Sequence, residues 1–147
     1  MNPDFSDMLS ALSAEGVEYL LIGAYAMAVH GVPRATGDID LWVRPSAENA
    51  ERALRALARY GAPLAGLQAG DLRADGMVLQ IGVAPNRVDV ITSIDGVTFD
   101  EAWSRRITAE VGGLTISVIG RQDLIRNKRA TGRPRDRADA DQLEETK

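Results

Sequence analysis

The side chains of this chain that can do chemistry fall in four short stretches. Asp38 and Asp40 stand one residue apart in an otherwise apolar run with Ile39, Leu41, Trp42 and Val43. Side chains alternate along a strand, so both carboxylates leave one face while Ile39, Leu41 and Val43 turn to the other, towards a core. Adjacent carboxylates on one face repel unless a cation neutralises them. Mg²⁺ suits that task, because it takes oxygen ligands and binds one or two carboxylates together with substrate phosphates. Mn²⁺ can replace it. For so short a motif, a strand end with solvated acids is the alternative.

Asp89 lies in a second apolar run, between Val88 and Val90. The valines face the core, which turns Asp89 to the opposite face, where an unpaired acid is costly. A salt bridge with Arg87 or another base is the alternative to a metal there. Gly23-Ala24 stands between an apolar strand and a small-residue helix, where free backbone N–H groups can hold an anion, or where the chain simply turns tightly. The fourth stretch is the basic block from residue 121 to residue 137, which holds Lys128 and Arg133 and whose acids are Asp123 and Asp136. It can meet a triphosphate or an RNA end, or form a solvated helix face.

Periodicity supplies the elements that must position these groups. Asp4 or Ser6 can cap a first helix with Phe5, Met8, Leu9 and Leu12 on one face, ended by Gly16. Residues 17–22 read as a buried strand, 24–29 as a short helix stopped by Gly31-Val32-Pro33, and 38–43 as the next strand. Ser46 caps a helix whose stripe is Ala50, Ala53, Leu54, Leu57 and Ala58, closed by Gly61. Residues 62–75 are loop with at most a short helical turn. Strands at 77–83 and 87–92 flank the turn Ala84-Pro85-Asn86, and strands at 107–111 and 114–119 flank Gly112-Gly113. Helices are expected at 99–106, 121–131 and 136–145. The fold class is therefore α/β or α+β: a mixed β-sheet flanked by helices, whose hairpins argue against an all-parallel sheet.

The segment from Leu20 to Val43, with Gly23-Ala24 before Asp38-x-Asp40, resembles the signature of the nucleotidyltransferase superfamily, the polymerase-beta-like fold, in its minimal and AbiEii-type branches. Leu124 to Ala130 and Arg133 to Asp139 are similar to the last motif of AbiEii-type proteins: a lysine on one helix, then Arg-x-x-Asp-x-x-Asp entering the next. The resemblance spans roughly residues 17 to 143 and departs from the usual Gly-Gly or Gly-Ser at Ala24, which lacks a serine hydroxyl. It implies that Asp38 and Asp40 bridge two Mg²⁺ ions, that Asp89 holds the one activating an acceptor hydroxyl, and that Lys128 reaches a nucleoside triphosphate. Gly23, Ala24, Arg34, Thr36, Arg133 and Asp136 complete the nucleotide site it implies; Asp136 alternatively caps its helix and orients Lys128 or Arg133. Members move a nucleotide onto transfer RNA ends, a partner protein or small molecules, some within toxin–antitoxin or defence systems. The alternative is a regulatory module that keeps the fold, binds nucleotide weakly and acts on a protein partner. His30 suits a helix end; Tyr25, Trp42 and Trp103 could stack on a base or simply pack.

Bulk properties set the outer bounds. A length of 147 residues fits one domain, 1–147, with little left for separate acceptor recognition, so a cognate partner or a second copy is expected to complete that site. There are no cysteines, which excludes disulfides and thiolate metal sites and agrees with a cytoplasmic setting. The start has no basic leader region and no apolar run reaches the ~20 residues of a membrane span. A net charge of −4 is not the footprint of a general nucleic-acid binder.

Overall fold

The computed structural model describes residues 2–146. Six strands form one sheet in the order β3-β4-β2-β1-β6-β5. They are β1 (Tyr19–Ile22), β2 (Asp38–Val43), β3 (Val78–Ile81), β4 (Arg87–Ile91), β5 (Ile107–Val111) and β6 (Leu114–Val118). β2 runs antiparallel to β1 and parallel to β4, β1 runs parallel to β6, and the hairpins β3–β4 and β5–β6 close the two edges. This is the mixed sheet that the two turn signals call for.

Six helices flank it: α1 (Pro3–Ala14), α2 (Gly23–Val29), α3 (Ala47–Tyr60), α4 (Phe99–Ser104), α5 (Arg121–Ala130) and α6 (Pro134–Glu145). α1 is capped by Asn2, whose side chain accepts from the Asp4 N–H, rather than by Asp4 or Ser6. Pro3, with no N–H to satisfy, fits the first helical position. α3 has the expected Ser46 cap and left-handed Gly61 stop, but its buried stripe takes Ala56 in place of Ala58, which is exposed. A 3₁₀ turn at Ala69–Arg73 sinks Leu72 completely. α4 ends at Ser104, two residues short of the expected end, and α6 begins at Pro134 rather than at residue 136. Proline again explains that start.

The core is built where these faces meet. Ile39, Leu41 and Val43 of β2 are fully buried, as are Phe5, Met8 and Leu12 of α1 and Leu57 of α3. Buried Asn49 ties α3 to the sheet: its side chain accepts from the Glu18 N–H and donates to the carbonyls of Glu18 and Arg44. All three polar groups are thereby satisfied in an apolar setting. At the far end of β2, Trp42 is sealed beneath Phe99, which stacks on Trp103. Tyr25 packs edge-on against Phe5. Tyr25, Trp42 and Trp103 do not line the clefts around Asp40, so packing takes the place of stacking on a base. His30 closes α2 and its Nε2 lies 2.8 Å from the Ile119 carbonyl, a structural use. No helix among the described residues is long and apolar enough to cross a membrane.

Candidate metal and nucleotide site

Register, not sequence distance, assembles the acids. The parallel pairing of β2 with β4 sets Asp40 opposite Asp89 and Asp38 opposite Arg87. Asp38, Asp40 and Asp89 each offer a carboxylate oxygen within 4.8 Å of the others. β1 ends opposite Asp40, so Gly23 comes to lie against the Asp40 carboxylate. Gly23 has φ +70°, and a Cβ there would overlap Asp40 Oδ2. Both the backbone angle and the missing side chain are therefore required at this position.

The three acids differ in environment. Asp38 is half-buried: the Thr36 hydroxyl donates to its Oδ1 at 2.8 Å and Arg87 Nη2 to its Oδ2 at 2.9 Å. Burial works to raise its pKa, but those two partners outweigh it and hold the carboxyl below the usual value. Asp40 has no such donor. Burial first, then the charges of Asp38 and Asp89, push it up to about 7. Asp89, only 6 % exposed, is raised by burial despite the Arg87 guanidinium, which donates to both of its oxygens at 3.0 and 3.1 Å. The salt bridge considered for Asp89 thus exists, and it extends to Asp38. Only the extension to Asp38 was not legible, since nothing in the sequence fixes the β2–β4 register.

A second cluster faces the first from α5 and α6. Lys128 Nζ lies 3.3 Å from both Asp136 and Asp139. Asp136 also accepts from Thr131 at 2.7 Å and from Arg133 at 2.8 Å. It is the third residue of α6, where Arg133 is the flanking residue, so it orients Lys128 and Arg133 rather than capping the helix end. Burial opposes ionisation of Asp136, yet the Thr131 bond and the Lys128 and Arg133 charges keep its pKa low. Asp139, 3 % exposed, pairs with Lys128 and with Arg34.

Two clefts meet over these groups. The larger, about 570 Å³, is walled by Gly23, Ala24, Thr36, Asp38 and Asp40 and by the cations Arg34, Arg87, Lys128, Arg133 and Arg135. The smaller, about 440 Å³, lies on the Asp89 side and takes in Val78, Ile91, Ser93, Ile94, Asp95 and Asn127, residues that the sequence did not single out. Gly23, Asp40, Lys128, Arg133 and Asp136 line both. Every residue that the resemblance assigns to the metal and nucleotide site borders one cleft or the other. A donor set of three carboxylates fits a hard divalent cation such as Mg²⁺.

Among the solved structures that match, two superpose along nearly the whole chain. A Thermotoga maritima protein assigned as a nucleotidyltransferase superposes with a TM-score of 0.62 at 16% identity, covering 99% of this chain and 93% of its own. The fold is that of the nucleotidyltransferases. A lincosamide antibiotic adenylyltransferase, solved with lincomycin bound, superposes with a TM-score of 0.58 at 12% identity, covering 98% of this chain and 96% of its own. No protein-family model matches the chain, and no curated protein matches it in sequence. The nucleotidyltransferase fold stands; the AbiEii-type branch has no support beyond the motif resemblance.

Proposed function

We propose that this chain is a metal-dependent nucleotidyltransferase that moves a nucleoside monophosphate from a nucleoside triphosphate to a hydroxyl acceptor. One observation carries the reading: three carboxylates from two paired strands converge at the junction of a cation-walled cleft and a second, less basic one. In the reaction the acceptor hydroxyl gives up its proton to solvent, its oxygen bonds to the α-phosphorus, and the bond from that phosphorus to the bridging oxygen breaks, releasing pyrophosphate. Two Mg²⁺ ions, when bound, supply positive charge to the attacking and leaving oxygens. Asp38, Asp40 and Asp89 would hold them, with Thr36 fixing the Asp38 carboxylate and Gly23 admitting that of Asp40. Mn²⁺ is an alternative ion.

The larger cleft takes the triphosphate. Lys128, pinned by Asp136 and Asp139, is a fixed point charge there, joined by Arg34 and Arg133; Gly23 and Ala24 offer backbone at the wall. The smaller cleft takes the acceptor, because Asp89 borders it and not the other. A small molecule is supported by the antibiotic substrate of one structural neighbour. A transfer RNA end, or a partner protein in a toxin–antitoxin pair, is supported by the motif likeness of residues 124–139 to AbiEii-type proteins. A cognate partner or second copy would then complete the acceptor site.

Ala24, which brings no hydroxyl to the cleft, favours a second reading: a regulatory module that binds nucleotide and performs no transfer. Incubation with α-labelled triphosphates, Mg²⁺ and cell extract, read as label on RNA, protein or small molecules, separates the two. Label that disappears in Asp40→Asn and in chelator supports the enzyme. Equal labelling by Asp40→Asn overturns the carboxylate site, and no label with any triphosphate leaves the module.

A further inference from the structure

Arg87 holds two of the proposed metal ligands, yet the transfer reaction assigns it no task. It precedes Asp89 by two residues on β4, so the two side chains leave the same face of the strand. Parallel register also places it beside Asp38. Its Nε donates to Asp89 Oδ1 at 3.0 Å, and its Nη2 donates to Asp89 Oδ2 at 3.1 Å and to Asp38 Oδ2 at 2.9 Å. The guanidinium thus clamps two of the three carboxylates that would ligate a metal. It also lines the larger cleft and not the smaller.

We propose that Arg87 is a built-in competitor for the divalent cation at Asp38, Asp40 and Asp89, and that a triphosphate in the larger cleft relieves the competition by drawing the guanidinium off the carboxylates. The inference rests on the metal and nucleotide site proposed above. A dication placed among the same oxygens meets a fixed positive charge and loses lone pairs to three N–H bonds, so it binds well only once the guanidinium moves. Arginine can make that exchange, because its planar fork matches phosphate as well as carboxylate. Phosphate in the adjoining cleft offers the new partner. Each ligand then raises the affinity for the other, as linkage demands. A free metal ion would load poorly without nucleotide, and Arg87 is in this sense a positioning residue that governs order of assembly.

A purely structural Arg87 predicts the opposite result, since its removal would loosen β2 against β4 and weaken metal binding. The test is Mn²⁺ binding without nucleotide, read from the electron paramagnetic resonance of the free ion, on wild type, Arg87→Met, Arg87→Lys and Asp40→Asn. Arg87→Met is expected to bind Mn²⁺ about tenfold tighter than wild type, an effect of about 1.4 kcal/mol, with Arg87→Lys between them. In chelator, Arg87→Met should bind a fluorescent triphosphate several-fold more weakly. Should Arg87→Met fail to melt cooperatively, Arg87→Lys keeps the charge without the fork and still binds the ion tighter than wild type. Mn²⁺ affinity in the folded variants equal to or below that of wild type overturns the competition, and undiminished triphosphate binding by Arg87→Met overturns its relief. If wild type binds Mn²⁺ and Asp40→Asn does not, such a failure leaves the metal site standing; if no variant binds Mn²⁺, both readings fall together.

Discussion

At the scale of the residue, Asp40 carries the largest electrostatic strain in the molecule's proposed centre. Its carboxyl is pushed up from 3.8 to about 7 by burial and then by Asp38 and Asp89. In chelator, a raised folded-state pKa contributes its full stability below pH 3.8, where both the folded and the unfolded chain hold the proton. Between pH 3.8 and about 7 the unfolded chain releases it and the folded chain does not, so stability falls as pH rises. Asp89, also raised, has the same sign. Asp38 and Asp136, held low, have the opposite sign, and their contribution is lost only as pH falls below the ordinary carboxylate range. The expected outcome is a loss of about 2–4 kcal/mol from pH 5 to pH 8 in wild type, much reduced in Asp40→Asn, whose amide mimics the protonated acid. Urea unfolding across that range in chelator measures it. A flat wild-type profile would mean that Asp40 is better solvated or better partnered than its surroundings indicate.

At the scale of the element, α5 and α6 hold one cation between two buried acids. Lys128→Met removes a partner from Asp136 and Asp139, but Thr131 and Arg133 stay on the first and Arg34 on the second. The loss of stability should therefore be about 1–3 kcal/mol, below that of a fully orphaned buried charge. Triphosphate affinity should fall about tenfold or more, as loss of one fixed charge near a polyanion requires. Urea unfolding and titration with a fluorescent triphosphate check the two halves separately; unchanged affinity would place the triphosphate elsewhere. The same elements mark the limits of sequence reading. Periodicity located every helix and strand within a few residues, because apolar alternation and Gly or Pro punctuation are local signals. The Asp38–Asp40 pair and Asp89 were legible as acids in apolar strands for the same reason. Illegible were the features set by long-range register: Arg87 reaching Asp38, Asp139 pairing with Arg34, and the wall of the smaller cleft from Ser93, Asp95 and Asn127. Ala56 replaced Ala58 in the stripe because a small residue fits either edge of a helix face, and only packing against neighbouring elements, chiefly α1 and the 3₁₀ turn, decides between them.

At the scale of the whole molecule, both signs of charge gather at the larger cleft, Asp38, Asp40, Asp136 and Asp139 among five cations. The chain is net −4, yet five cations wall the larger cleft beside the acids that need a metal. A triphosphate alone meets the cations and the repulsion of Asp38 and Asp40 together; a triphosphate with Mg²⁺ satisfies both signs at once. Binding should therefore stabilise the folded chain far more with Mg²⁺ and nucleotide combined than the sum of either alone. At about 100 times the dissociation constant, a ligand specific for the folded state adds about 2.7 kcal/mol, a shift of several degrees at this size. Thermal unfolding with each of the four nucleoside triphosphates, with and without Mg²⁺, reads this directly. The base giving the largest Mg²⁺-dependent shift identifies the donor, and Asp40→Asn should keep the nucleotide's own contribution while losing the Mg²⁺-dependent part. An equal shift with and without Mg²⁺ would separate nucleotide binding from the carboxylates and move the weight to the regulatory module. No shift with any triphosphate would mean that the two clefts bind nucleotide only when a partner surface completes them.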